Sequence, residues 1–159
     1  MIVEAVLDAL RASGRKLIFA ESLTGGRLAD AFISVPGASD VVLGAEIAYS
    51  NELKVQLLGV DEEVVAEKGA VSSEVALAMA QGVMAVGQAS CDLDSGQVIA
   101  VSTTGNAGPS GEPVGLVYIA YTDGKKHKVR ELNLTGDRSM IRDQTVAACV
   151  ELIREQIGS

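Results

Sequence analysis

The sequence predicts an α/β protein, a three-layer α/β/α sandwich around a mixed sheet of about five strands, and three observations predict it. Helix-period and strand-length apolar segments alternate along the chain, polar and glycine-rich stretches follow the first three strand segments, and an Asp-Gly pair joins the last two.

Val3, Val6, Leu7 and Leu10 recur at helical spacing and Gly14 stops them, which gives a first helix. Lys16 to Ala20 is an apolar run of strand length that ends in Glu21-Ser22-Leu23-Thr24-Gly25-Gly26. Leu28, Ala31 and Phe32 resume a helical period up to Val35, where Pro36-Gly37 breaks it. A second strand is expected from Val41 to Tyr49, after which Ser50 or Asn51 can cap a short helix through Leu58. Ser72 has N-cap character with Glu74 in the first turn, and Val75, Met79, Val83 and Val86 mark one face of a longer helix.

Gln97 to Ser102 is a third strand, running into a loop from Thr103 to Gly111 that is rich in glycine. Val114 to Thr122 and Lys125 to Leu134 flank Asp123-Gly124, a signal for a hairpin with a type I′ turn. Gly136-Asp137 caps a terminal helix on which Ile141, Thr145, Ala148, Leu152 and Gln156 share a face, with Ile153 and Ile157 beside it. The order is therefore α-β-α-β-α-α-β-β-β-α, with no repeat or linker to divide residues 1–159 into more than one domain.

Hydrophobic residues make up 48% of the 159 and charged residues 21%, as in ordinary globular chains. With 3% aromatics and no Trp, aliphatic side chains must fill the core, and base stacking lacks its usual platforms. A net charge of −8 repels polyanions, which argues against nucleic-acid partners and against adsorption to anionic lipid. No apolar run approaches the roughly 20 residues of a membrane span, so no membrane partner is expected. The N-terminus has no basic region before its apolar residues and does not read as a signal peptide, so a cytoplasmic location is expected. Cys91 and Cys149 read as two reduced core thiols. With His127 they do not supply four zinc ligands at any recognised spacing, so no metal is expected.

Ligands in open α/β sheets sit at the carboxyl ends of the strands, so the three polar loops can share one site. Ser22, beside Gly25-Gly26 at a strand exit, suits a nucleophile with backbone amides nearby, or it and Thr24 simply cap the next helix. A serine needs a base, and with a lone His127 on a basic edge strand the remaining option is a lysine made neutral by burial. Lys54 is the candidate, on the short helix after Tyr49-Ser50-Asn51; its alternative is a solvated helix face. Tyr49 can tune that amine or be a half-buried strand tyrosine, and Glu21 can hold Lys54 or a substrate hydroxyl or be a surface carboxylate. The glycine loop offers backbone amides but is neither a Walker loop nor GxGxxG. Arg138 and Arg142, four apart at a helix N-terminus, suit a phosphate or pair with Asp137 and Asp143.

Taken together, Ala20 to Gly26, Val35-Pro36-Gly37, Tyr49-Ser50-Asn51-Glu52 with Lys54, Leu58-Gly59-Val60, Gly69 to Ser72, Gly105 to Pro109, Pro113-Val114-Gly115 and Gly136-Asp137-Arg138 resemble the CinA C-terminal domain family of nicotinamide-nucleotide amidohydrolases. The resemblance implies hydrolysis of nicotinamide mononucleotide to nicotinic acid mononucleotide and ammonia, in pyridine nucleotide salvage, without metal or organic cofactor. It carries the serine and lysine onto Ser22 and Lys54, the tyrosine onto Tyr49, and the late arginines onto Arg138 and Arg142, assigned to the substrate phosphate. Glu21, Thr24, Gly25, Gly26 and Asn51, with Thr104, Gly105, Ala107 and Gly108 of the glycine loop, are expected along the substrate. The amides of the Gly25 or Gly105 loops are expected to hold the oxyanion.

The family usually has Cys after the serine and a bulky apolar residue before Ala107, where this chain has Leu23 and Asn106. Two rival functions therefore stay open: a catalytically silent paralogue that binds a nucleotide or partner, and an amidase for another phosphorylated amide. The acidic charge argues against a DNA-processing role of the kind the family's competence association suggests. Met1 opens directly on the first helix, as expected of a stand-alone form, and assembly as a homo-oligomer is expected.

Overall fold

In the computed structural model, which describes residues 1–94 and 96–158, five strands form one mixed sheet: β1 (Lys16–Glu21), β2 (Val42–Ile47), β3 (Val98–Gly105), β4 (Leu116–Thr122) and β5 (His127–Asn133). Their order is β2-β1-β3-β4-β5. β1 is parallel to both β2 and β3, whereas β4 is antiparallel to β3 and to β5. The helices are α1 (Ile2–Ser13), α2 (Arg27–Ile33), α3 (Asn51–Leu58), α4 (Glu62–Lys68), α5 (Ser73–Cys91) and α6 (Arg138–Ile157).

Side-chain alternation along the strands separates two cores. Leu17 and Phe19 of β1, with Ile99 and Val101 of β3, pack against α1, α2 and α6. Ile18 and Ala20, with Val98 and Ala100, face α5 and the end of α3. The result is the expected three-layer α/β/α sandwich. The carboxyl ends of the parallel strands β1 and β3 lie side by side, which brings the Ser22 turn and the glycine loop to the same end of the sheet.

Several helix starts are local and legible. Ser50 Oγ accepts from Leu53 N, Ser72 Oγ from Val75 N, and Asp137 Oδ1 from Met140 N. Gly14 ends α1 in the left-handed conformation, with φ of 68°.

The differences have physical reasons. α4 was not expected, although Asp61 caps it and Lys68 closes it; none of its residues is fully buried, so it has no apolar stripe to read. A 3-10 turn at Ala38–Asp40 precedes β2, which is shorter than Val41 to Tyr49. β3 continues past Ser102 through Thr103, Thr104 and Gly105, because these pair with Ile119, Tyr118 and Val117 of β4. The hairpin forms, but not with a type I′ turn: Gly124 takes φ of 90° while Asp123 keeps negative φ and accepts from Lys125 N and Lys126 N through Oδ1.

The helix faces shift slightly as well. Ala29 rather than Ala31 is buried on α2, Gly87 rather than Val86 on α5, and Cys149 and Val150 rather than Ala148 and Gln156 on α6. Cys149 is a core thiol as expected, but Cys91 is exposed at the end of α5. No helix among the described residues is long and apolar enough to cross a membrane.

Candidate active site

β1 leads straight into the site. Ser22 follows its last residue, and its backbone N–H donates to both the carbonyl and the Oγ1 of Thr103 on the neighbouring β3, each at 3.2 Å. Thr24 and Thr103 share a hydroxyl–hydroxyl bond of 2.9 Å beneath it. Thr103 went unnoticed in the sequence because it reads as the first residue of a loop. As a strand residue it alternates with Ser102 and Thr104, and that alternation aims it at the Ser22 turn.

Glu21 is neither a substrate ligand nor a surface carboxylate. It is fully buried, and its two oxygens accept from the N–H groups of Gly26, Leu28 and Ala29 at 3.2, 2.9 and 3.0 Å. It thereby satisfies three of the orphan donors at the start of α2, and its charge suits the positive end of that helix. The clamp requires the chain to reverse at Gly25 and Gly26, whose φ values are 54° and 101°. Gly25 N–H donates to Ser22 O at 3.1 Å, so both glycine amides are spent on the turn rather than turned to an oxyanion.

Lys54 lies on α3 with 2% of its surface exposed. Its Nζ donates to Ser22 Oγ at 3.0 Å and to the Tyr49 carbonyl at 3.0 Å. Burial pushes the amine down from the ordinary lysine value to about 8. Both its partners are uncharged oxygens, so nothing at the contact favours the ammonium form through charge. Tyr49 does not tune the amine through its ring, as it could have done: the side chain is 62% exposed and its hydroxyl accepts from Arg138 Nη2 at 3.1 Å.

A pocket of about 220 Å³ lies against Leu23, which follows Ser22, and Tyr49, whose carbonyl holds Lys54, and is lined as well by Gly105, Asn106, Ala107, Gly108, Ser110, Gly111 and Arg138. Arg138 also donates to Gly108 O at 2.6 Å, tying the α6 start to the glycine loop. Arg142 points elsewhere: Nε donates to Leu23 O at 2.7 Å and Nη2 to Thr24 O at 3.3 Å, so it braces the Ser22 turn.

Thr104 faces away, its hydroxyl donating to Ala70 O at 2.7 Å, and Asn51 lines an outer groove between α3 and α4 rather than the pocket. Gly105 is required by packing, since a Cβ there would lie 2.6 Å from Val117 Cγ2. His127 sits on the β5 edge beside Thr122, far from this chemistry in the strand order. Among the described residues no group of three or more His, Cys, Asp or Glu is arranged to hold a metal.

Such a site can activate a hydroxyl. A lysine near 8 is uncharged in about a tenth of molecules at pH 7, several hundred-fold more than an ordinary lysine, and its lone pair can take the serine proton.

Known proteins carry the same architecture. A family model described as the CinA C-terminal domain matches residues 1–157. A relative from Clostridium acetobutylicum, named as competence-damage inducible, is 44% identical over 142 residues, or 87% of this chain and 33% of that protein. A CinA-like protein of Salinibacter ruber is 39% identical over 98% of this chain and 37% of its own length. The chain thus spans about a third of the length of the curated relatives it matches. Among solved structures, the competence/damage inducible protein CihA from Agrobacterium tumefaciens superposes with a TM-score of 0.89 at 31% identity, covering 99% of this chain and 94% of that one.

Proposed function

The chain belongs to the CinA C-terminal domain family, and on that premise we propose that it is an amidohydrolase that deamidates nicotinamide mononucleotide through Ser22 and Lys54. The observation that carries this reading is the buried 3.0 Å contact between the Lys54 amine and the Ser22 hydroxyl. An uncharged base on a serine, beside a polar pocket, is what acyl transfer from an amide needs.

In the reaction, neutral Lys54 accepts the Oγ proton as Ser22 attacks the carboxamide carbon, forming a tetrahedral oxyanion. Lys54 then returns that proton to the departing nitrogen, the C–N bond breaks and ammonia leaves. Water, deprotonated by the same amine, attacks the ester, and nicotinic acid mononucleotide is released with Ser22 restored. Because the Gly25 and Gly26 amides are engaged in the turn and that of Asn106 is bonded to Leu116 O, the oxyanion donors come from Gly105, Ala107 and Gly108, which line the pocket. Arg138, also on the pocket wall, is the ligand for the substrate phosphate. Tyr49 stacks against the substrate from the rim.

Ammonia release measured with nicotinamide mononucleotide, nicotinamide riboside and nicotinamide tests the substrate. The mononucleotide is expected to be the preferred substrate. A charge-assisted guanidinium–phosphate contact contributes about 1.5–3 kcal/mol, so loss of the phosphate alone should lower kcat/KM by at least about tenfold. Equal turnover of the riboside would remove Arg138 from the substrate, and no turnover of any of the three would favour the silent paralogue. A cytoplasmic place in pyridine nucleotide salvage follows from the same reading.

A further inference from the structure

α3 is a two-turn helix with a small apolar stake in the fold. Its fully buried residues are Lys54 and Leu58, one turn apart on a single face. Burying an amine works against docking that face, so Leu58 must hold the helix down. Leu58 does so together with Val60, just beyond the Gly59 cap, in the cluster formed with Val75, Met79 and Val83 of α5. The same turn holds Lys54 directly, because Val60 N–H donates to the Lys54 carbonyl at 3.2 Å.

Where this turn meets α5, residue 82 is a glycine in the interior of a 19-residue helix. Glycine is unfavourable there relative to alanine, and no left-handed backbone explains it. Close approach does. A Cβ on residue 82 would lie 1.8 Å from the Leu58 carbonyl oxygen, 2.8 Å from its carbon and 3.1 Å from its Cα. All three are backbone atoms, so no side-chain rotation relieves the overlap.

We propose that Gly82 is a positioning residue for Lys54: its missing side chain lets the Leu58 turn seat against the α5 backbone, and that seating sets the depth at which α3 delivers the Lys54 amine to Ser22. Any side chain at 82 lifts the C-terminal turn of α3, and the amine four residues earlier moves toward water and away from the serine. The inference rests on Lys54 being the base, and the test separates the two.

The test is a titration of isotope-labelled Lys54 by NMR in the folded protein, alongside the pH dependence of kcat/KM for amide hydrolysis. In the unaltered protein Lys54 is expected to titrate near 8. In Gly82→Ala the midpoint should move up toward the ordinary lysine value, and the rising limb of kcat/KM should move with it. The activity loss is then largest at neutral pH and shrinks as pH rises, which uniform damage to the fold would not produce. Leu58→Val trims the anchor without adding a clash, keeps the fold, and should shift Lys54 in the same direction by less. Leu152→Val, in the core on the opposite face of the sheet, should leave Lys54 in place.

A folded Gly82→Ala protein whose Lys54 titrates as before would overturn the proposal. If Gly82→Ala does not fold, an unmoved Lys54 in Leu58→Val overturns it, as does an equal shift in Leu152→Val. An ordinary lysine titration in the unaltered protein instead defeats the assignment of Lys54 as base, whatever Gly82 does.

Discussion

Replacing Ser22 with alanine should lower ammonia release from nicotinamide mononucleotide by about 10⁴- to 10⁶-fold, the scale on which serine hydrolases lose turnover when the nucleophile is removed. Lys54→Ala should lose about 10²- to 10⁴-fold, the contribution of a positioned general base. Because the two side chains act on one proton, the double variant should be hardly worse than Ser22→Ala alone. Binding should survive in Ser22→Ala, since the hydroxyl is small and Arg138, Tyr49 and the glycine loop are untouched. Steady-state ammonia assays with substrate binding by calorimetry check both halves. Turnover by Ser22→Ala at the level of the unaltered protein would remove the nucleophile from the scheme. Additive losses in the double variant would mean that the pair does not work as a unit.

Lys54→Met, inactive by the same reasoning, should be more stable than the unaltered protein at pH 7. The folded amine titrates near 8, below its ordinary value of 10.5. At pH values between the two, the unfolded chain binds a proton that the folded chain does not, so this group makes stability rise with pH across that window. Below 8 its full penalty is present, about 3 kcal/mol for a shift of this size. Methionine removes the penalty but also the bonds to Ser22 Oγ and Tyr49 O, each contributing about 1 kcal/mol. A net gain of about 1–2 kcal/mol at pH 7, falling from pH 8 and reversed to a loss of about 2 kcal/mol above pH 10.5, is the expected result in denaturant unfolding. A variant that is less stable at pH 7, or a difference independent of pH, would contradict the burial argument.

The parts of this molecule that were legible in its sequence are those whose physics is local. Ser50, Ser72 and Asp137 each bond a backbone N–H three residues ahead, so their role is visible in a short window. The layer order followed from alternating periodicities for the same reason. Glu21 escaped because its carboxylate serves N–H groups five to eight residues ahead, across a reversal at Gly25-Gly26. Thr103 and Thr104 read as loop from their glycine-rich neighbourhood, whereas pairing with β4 makes them strand, and the register then sends one hydroxyl to Ser22 and the other to Ala70.

Lys54 is the instructive case. Periodicity counts apolar residues, so a lysine on a buried face is read as a break in the stripe; elimination of other bases and the family resemblance single out Lys54, and the packed helix shows that it points inward. Arg142 shows the converse: its place on α6 suited a phosphate, yet the nearest acceptors are two carbonyls of the turn it braces.

The central claim, that an uncharged Lys54 draws the proton from Ser22, is tested most directly by the rate at which a fluorophosphonate labels Ser22, followed by intact mass across pH 6 to 10. The account predicts a rate that rises through a single ionisation near 8 and falls to a low, pH-independent value in Lys54→Met. Labelling that is flat between pH 7 and 9, or equally fast without Lys54, would contradict it.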